Sequence, residues 1–121
     1  MAFNSRSGGI TTEAPVDETV RSGDVVVLGD IAGIAELDAT ERADGQHWTT
    51  VALEGIAYLG VESEPTIGQA VYANEAGELD VMGDAPEAGE YTLVGYITNE
   101  TPTANGGYEI KLANGPKVVI Q

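Results

Sequence analysis

Residues 22–35, Ser-Gly-Asp-Val-Val-Val-Leu-Gly-Asp-Ile-Ala-Gly-Ile-Ala, limit the folds open to this chain more than any other stretch. Ser22-Gly23-Asp24 is turn chemistry, because glycine takes positive φ freely and aspartate bonds its own backbone. Val25 to Leu28 is a run of mostly β-branched residues, stiff at χ1 and suited to a pleated surface. Gly29-Asp30 interrupts the run, and Ile31 to Ala35 resumes it. Continuous apolar runs this short are buried strands more often than helices, and two of them joined at Gly-Asp predict a tight hairpin or a strand kinked at a bulge.

The rest of the chain repeats this texture. His47 to Leu53 alternates with a period of two, Glu54-Gly55 breaks it, and Ile56 to Val61 follows as its expected pairing partner. Gln69–Ala73 and Glu78–Met82 flank a turn at Asn74–Gly77. Tyr91–Thr98, Tyr108–Leu112 and Lys117–Ile120 supply the strands of the second half. Polar loops fall at 36–46, 62–65, 83–90 and 99–107, with no stretch of 3.6-residue periodicity. Short strands every 8–12 residues between glycine-rich turns predict an all-β fold, a small β-barrel or β-sandwich of about eight or nine strands. Val25, Val27, Ile31, Ile34, Val51, Leu53, Ile56, Val71, Leu93, Ile97, Ile110 and Leu112 are the expected core.

Residues 1–21 read differently, being rich in Ser, Thr and Gly with Pro15 and scattered apolar residues. They predict an extended N-terminal arm, with a short strand near 10–13, leading into a domain of residues 22–121. Ordering about fifteen residues costs on the order of 15–30 kcal/mol. Burying Phe3, Ile10, Val16 and Val20 returns about 6–12 kcal/mol. The arm is therefore expected to be disordered in the free protein and to order on a partner that adds main-chain hydrogen bonds, with Arg6 and Arg21 pairing with that partner's acids.

Charge and composition exclude several functions. With 121 residues the chain holds one core, and without cysteine it has neither disulfides nor thiol chemistry. Twenty acids against five bases give a net charge of −15, which repels phosphate and argues against a nucleic-acid partner. No apolar stretch approaches a membrane span, and the N-terminus lacks the apolar core of a signal peptide, so synthesis in the cytoplasm is expected. The single histidine, His47, has no nucleophile and orienting acid at a telling spacing, and no lysine sits in a phosphate-binding loop, so no enzyme activity and no cofactor are expected. The acid clusters Asp80/Asp84/Glu87 and Asp38/Glu41/Asp44 could ligate calcium on flexible loops. Neither has the calcium-loop spacing, so solvated acids with no bound metal are the expectation. Tyr58, Tyr72, Tyr91, Tyr96 and Tyr108 lie in strands and are expected to be packing residues of core and rim.

The order of the stretches 22–35, Val51–Ile56, Gly68–Tyr72, Leu93–Tyr96 and the alternating strand at 108–112 resembles a family of short tailed-phage proteins encoded near the major capsid protein. These are described as capsid decoration, cement or fibre proteins, and some carry a label of RecA/RadA-like recombinase. That label does not suit a chain with no nucleotide-binding loop and the wrong charge for DNA. Where the family leads into a Lys- or Ala-rich loop, this chain has Glu62-Ser63-Glu64-Pro65. The resemblance implies a homotrimer bound to the major capsid protein on the outer surface of the virion. There it would clamp capsid subunits without chemistry. The arm is variable in the family, so its role does not carry over, and it is the arm's own sequence that makes Phe3, Arg6, Ile10, Val16, Val20 and Arg21 the expected contacts with the capsid or a neighbouring protomer. A carbohydrate- or host-surface-binding module of a virion fibre is the alternative.

Overall fold

The computed structural model describes residues 11–115 and 117–121. Among these there is no helix. Eleven strands run in order: β1 (Thr11–Val16), β2 (Val25–Leu28), β3 (Ile31–Ala35), β4 (Thr40–Glu41), β5 (His47–Ala52), β6 (Ile56–Leu59), β7 (Ala70–Ala73), β8 (Leu79–Val81), β9 (Gly89–Asn99), β10 (Tyr108–Leu112) and β11 (Val118–Ile120). All pairings are antiparallel, so the all-β expectation holds, with the short β4 and the arm strand β1 raising the strand count.

Sheet one has the order β1-β5-β3-β2, with β4 also pairing to β5. The β2–β3 hairpin closes at Leu28 opposite Ile31 around Gly29-Asp30, where Gly29 takes φ +63° as a two-residue turn requires. Sheet two has the order β6-β10-β9-β7-β8, with β11 pairing to the start of β9. The sheets face each other across one core. Ala32, Ile34 and Ala52 of sheet one meet Ala57, Val71, Ile97, Ile110 and Leu112 of sheet two, all nearly inaccessible to water. A second cluster fills the other face of sheet one, where Ala14, Val26, Ala35 and Val51 are joined by Val16, Val20, Leu28 and Leu53. Both edge strands of that sheet, β1 and β2, contribute to it.

Two strand glycines set how closely backbones approach. A Cβ on Gly33 would stand 2.5 Å from the carbonyl oxygen of Ala52, and one on Gly95 would stand 2.1 Å from that of Lys111. Only glycine permits the β3–β5 and β9–β10 contacts at these points.

Three expectations are corrected. First, β6 does not pair with β5; it pairs with β10, Ile56 opposite Lys111. One edge of β5 is taken by β1 and the other by β3 and β4, so no edge remains for β6. Gly55, at φ +108°, carries the chain from one sheet to the other, and its carbonyl accepts a hydrogen bond from the N–H of Leu112 at 2.8 Å.

Second, Val27 is 39% exposed and its neighbour Val26 is buried. Both faces of sheet one carry apolar side chains: Val26 and Leu28 join the second cluster and Val25 packs against the core between the sheets, while Val27 belongs to neither. Val25, Ile31, Leu53 and Ile56 are half-buried, and the other expected core residues are buried.

Third, residues 11–21 are not free of the domain. β1 pairs with β5 along its length, from Thr11 opposite Ala52 to Val16 opposite His47. Ala14 is buried, and the N–H of Ala39 donates to the Val20 carbonyl at 2.9 Å. The main-chain partner that the arm's entropy demands is the outer edge of β5 in the same molecule. Proline is tolerated at Pro15 because β1 has a neighbour on one side only among the described residues.

Candidate functional site

Of the arm residues picked out in the sequence, Phe3, Arg6 and Ile10 lie outside the described residues. Val16 and Val20 come together, half-buried against the second cluster, where they hold the arm to its own sheet. Arg21 is exposed, and its guanidinium donates to the carbonyls of Glu18 and Val20 at 3.2 Å each. The turn between β1 and β2 is fastened by Asp17, whose carboxylate accepts from both the N–H and the hydroxyl of Thr19, at 2.9 and 2.8 Å. These two donors hold the Asp17 carboxyl below its ordinary range. Next to β1, the Arg42 guanidinium lies 4.5 Å from the centre of the Trp48 ring and pairs with Glu13, a cation–π and ion-pair contact joining β1, β5 and the β4 loop.

His47 opens β5 opposite Val16 and Glu41. The acid clusters are not drawn into a ligand set, since no three carboxylates or imidazoles converge among the described residues. Asp80 instead fastens the chain, accepting from the N–H groups of Ser63 and Val81 at 3.0 and 2.8 Å. It lines a cleft of about 390 Å³ beside β7 and β8, together with Tyr72, Tyr91, Pro86, Glu78 and Glu87.

The surface that sequence reasoning missed is the outer face of sheet two. Alternation along β6, β10, β9 and β7 buries Ala57, Ile110, Ile97 and Val71, and so turns Ile56, Lys111, Tyr96 and Ala70 outward. Strand register sets these four in one row, Ile56–Lys111–Tyr96–Ala70. In the next row Glu109 faces Tyr58. Its carboxylate accepts from the Tyr58 hydroxyl at 3.1 Å and the Thr98 hydroxyl at 2.8 Å. Tyr96 is 43% exposed, which places it outside the packing role expected of it. Ile67, 64% exposed, lies in the loop before β7, beside the end of β9, and its N–H donates to Glu100 at 3.0 Å. The signal was present in the strand parity of Tyr58, Tyr96 and Lys111, but it becomes a surface only once β6, β10 and β9 are known to be neighbours.

A family model described as phage cement protein matches residues 5–112. No curated protein and no solved structure matches the chain.

Proposed function

The chain belongs to the phage cement protein family, a capsid-associated structural family, and from that premise we propose that it binds the major capsid protein on the outer surface of the head and holds neighbouring capsid subunits together as a trimer. The observation that carries this reading is the family match, which spans both sheets and all the strands from β1 to β10. A cement protein acts by added contact area. A stable protein–protein interface buries about 1,200–2,000 Å² in total, an area that must be separated again before the joined subunits can part. A small, cross-paired domain fastened at both faces of one sheet is a suitable clamp, because little of it needs ordering on contact.

The test is addition of the purified full chain to heads that lack it. Co-sedimentation and a raised dissociation temperature of the decorated heads are the expected result. Heads that neither retain the protein nor gain heat resistance overturn the proposal. Light scattering of protein released from heads checks the trimer.

A further inference from the structure

We propose that the outer face of sheet two, centred on Tyr96, is the surface through which this protein seats on the subunits of the head shell; the inference rests on the attachment reading above. The observation is the distribution of charge. The chain carries a net charge of −15, yet the two rows across this face hold one base, Lys111, and one acid, Glu109. Both oxygens of Glu109 are occupied by the Tyr58 and Thr98 hydroxyls. Lys111 stands between Ile56 and Tyr96 in the same row, and a lysine brings a methylene stem as well as a charge to such a surface. Carboxylates stand at the rim, Glu100 beyond Tyr96 and Asp80 on the β8 side. An apolar and aromatic centre with a polar rim is the anatomy of a protein interface.

Charge also selects the occupant. A shell surface without a strong positive patch meets repulsion or a desolvation penalty over the acid-rich remainder of the domain, and meets neither here. A second copy stacked face to face would use up this surface in both chains, and would leave acid-rich surfaces alone to meet the shell. The fitting partner is therefore a shell subunit presenting a flat, apolar, weakly charged surface.

The experiment compares Tyr96→Glu, Ile67→Glu and Leu37→Glu for binding to heads that lack the protein. Leu37 is the control, being 58% exposed in the loop after β3 on sheet one. Tyr96→Glu is expected to weaken binding at least tenfold and Ile67→Glu several-fold, with Leu37→Glu within twofold of the parent and all three melting like it. Parent binding is expected to persist from about 0.1 M to about 1 M NaCl, as screening shortens from about 10 Å to about 3 Å. Undiminished binding by Tyr96→Glu and Ile67→Glu, while the parent binds, overturns this inference alone. So does a Tyr96→Glu protein that loses self-association but still seats on heads, which assigns the face to a second copy. Failure of the parent to bind at all overturns the attachment reading and this one with it.

Discussion

The two sheets meet at one core yet differ in what lies behind them. Sheet one is packed on both sides, against sheet two through Ile34 and against its own second cluster through Val26, Ala35 and Val51. Sheet two packs one face and leaves the part of the other around Tyr96 and Lys111 open, while the segment at Gly115 covers Leu93 further along β9. A sheet buried on both faces cannot present a broad surface to a partner, but it can anchor a segment such as β1. A sheet buried on one face can present the other. In this molecule anchoring and presentation are therefore divided between layers.

The largest effects should come from closing the space that strand glycines leave. Gly95→Val places a side chain against the backbone of Lys111 in sheet two, and Gly33→Val does the same against Ala52 in sheet one. Neither obstacle is a side-chain tip that can swing away, so each variant is expected to lose more than about 4 kcal/mol and fail to give a cooperative melt. If Gly33→Val melts normally, sheet one is not held at β3–β5 as described.

Next in size is a parity test within β2. Val26→Asp buries an unpaired carboxylate in the second cluster and should cost several kcal/mol against a total of about 5–15. Val27→Asp, with the side chain 39% exposed, should fold and lose no more than about 1 kcal/mol by urea titration. Equal losses would mean that the second face of sheet one is not a true core.

Removal of residues 1–20 sharpens the anchoring half of the comparison. It takes away β1, with the burial of Ala14, Val16 and Val20, and bares one edge of β5. A loss on the order of 3 kcal/mol is expected from the side chains alone. An unchanged melting temperature would show that the arm is a passive tail. The smallest effect belongs to Asp17→Ala. A carboxyl held below its ordinary range stabilises the fold above that range and ceases to do so as it is protonated. The melting temperatures of parent and variant should therefore differ at neutral pH and converge as pH falls below the ordinary value of 3.8. A gap that persists in strong acid would assign the role to something other than the carboxylate.

Local chemistry was legible where it decides structure by itself. The hairpin at Gly29-Asp30, the β7–β8 turn held by Asn74 and the strand at 108–112 all lie where turn residues and alternation put them. What depends on neighbours was not legible. Val25-Val26-Val27-Leu28 has no polar alternation, so no parity can be read from it. Glu54-Gly55 looks like a hairpin turn unless one knows that both edges of β5 are occupied. The arm's own side chains say nothing of the edge that receives it, which belongs to a strand over thirty residues later. The open face of sheet two was hidden for the same reason: its residues come from separate strands, and neutrality is a property of their assembly.

Pro15 bears on crowding. Proteins fixed to one particle meet their own copies at high local concentration, where an open strand edge can template a neighbour's strand and grow into an aggregate. The edge strand β1 carries a proline, whose ring fixes φ and removes an N–H, and proline on an edge strand blunts such templating. That single ring favours discrete subunits over fibrils wherever many copies are gathered.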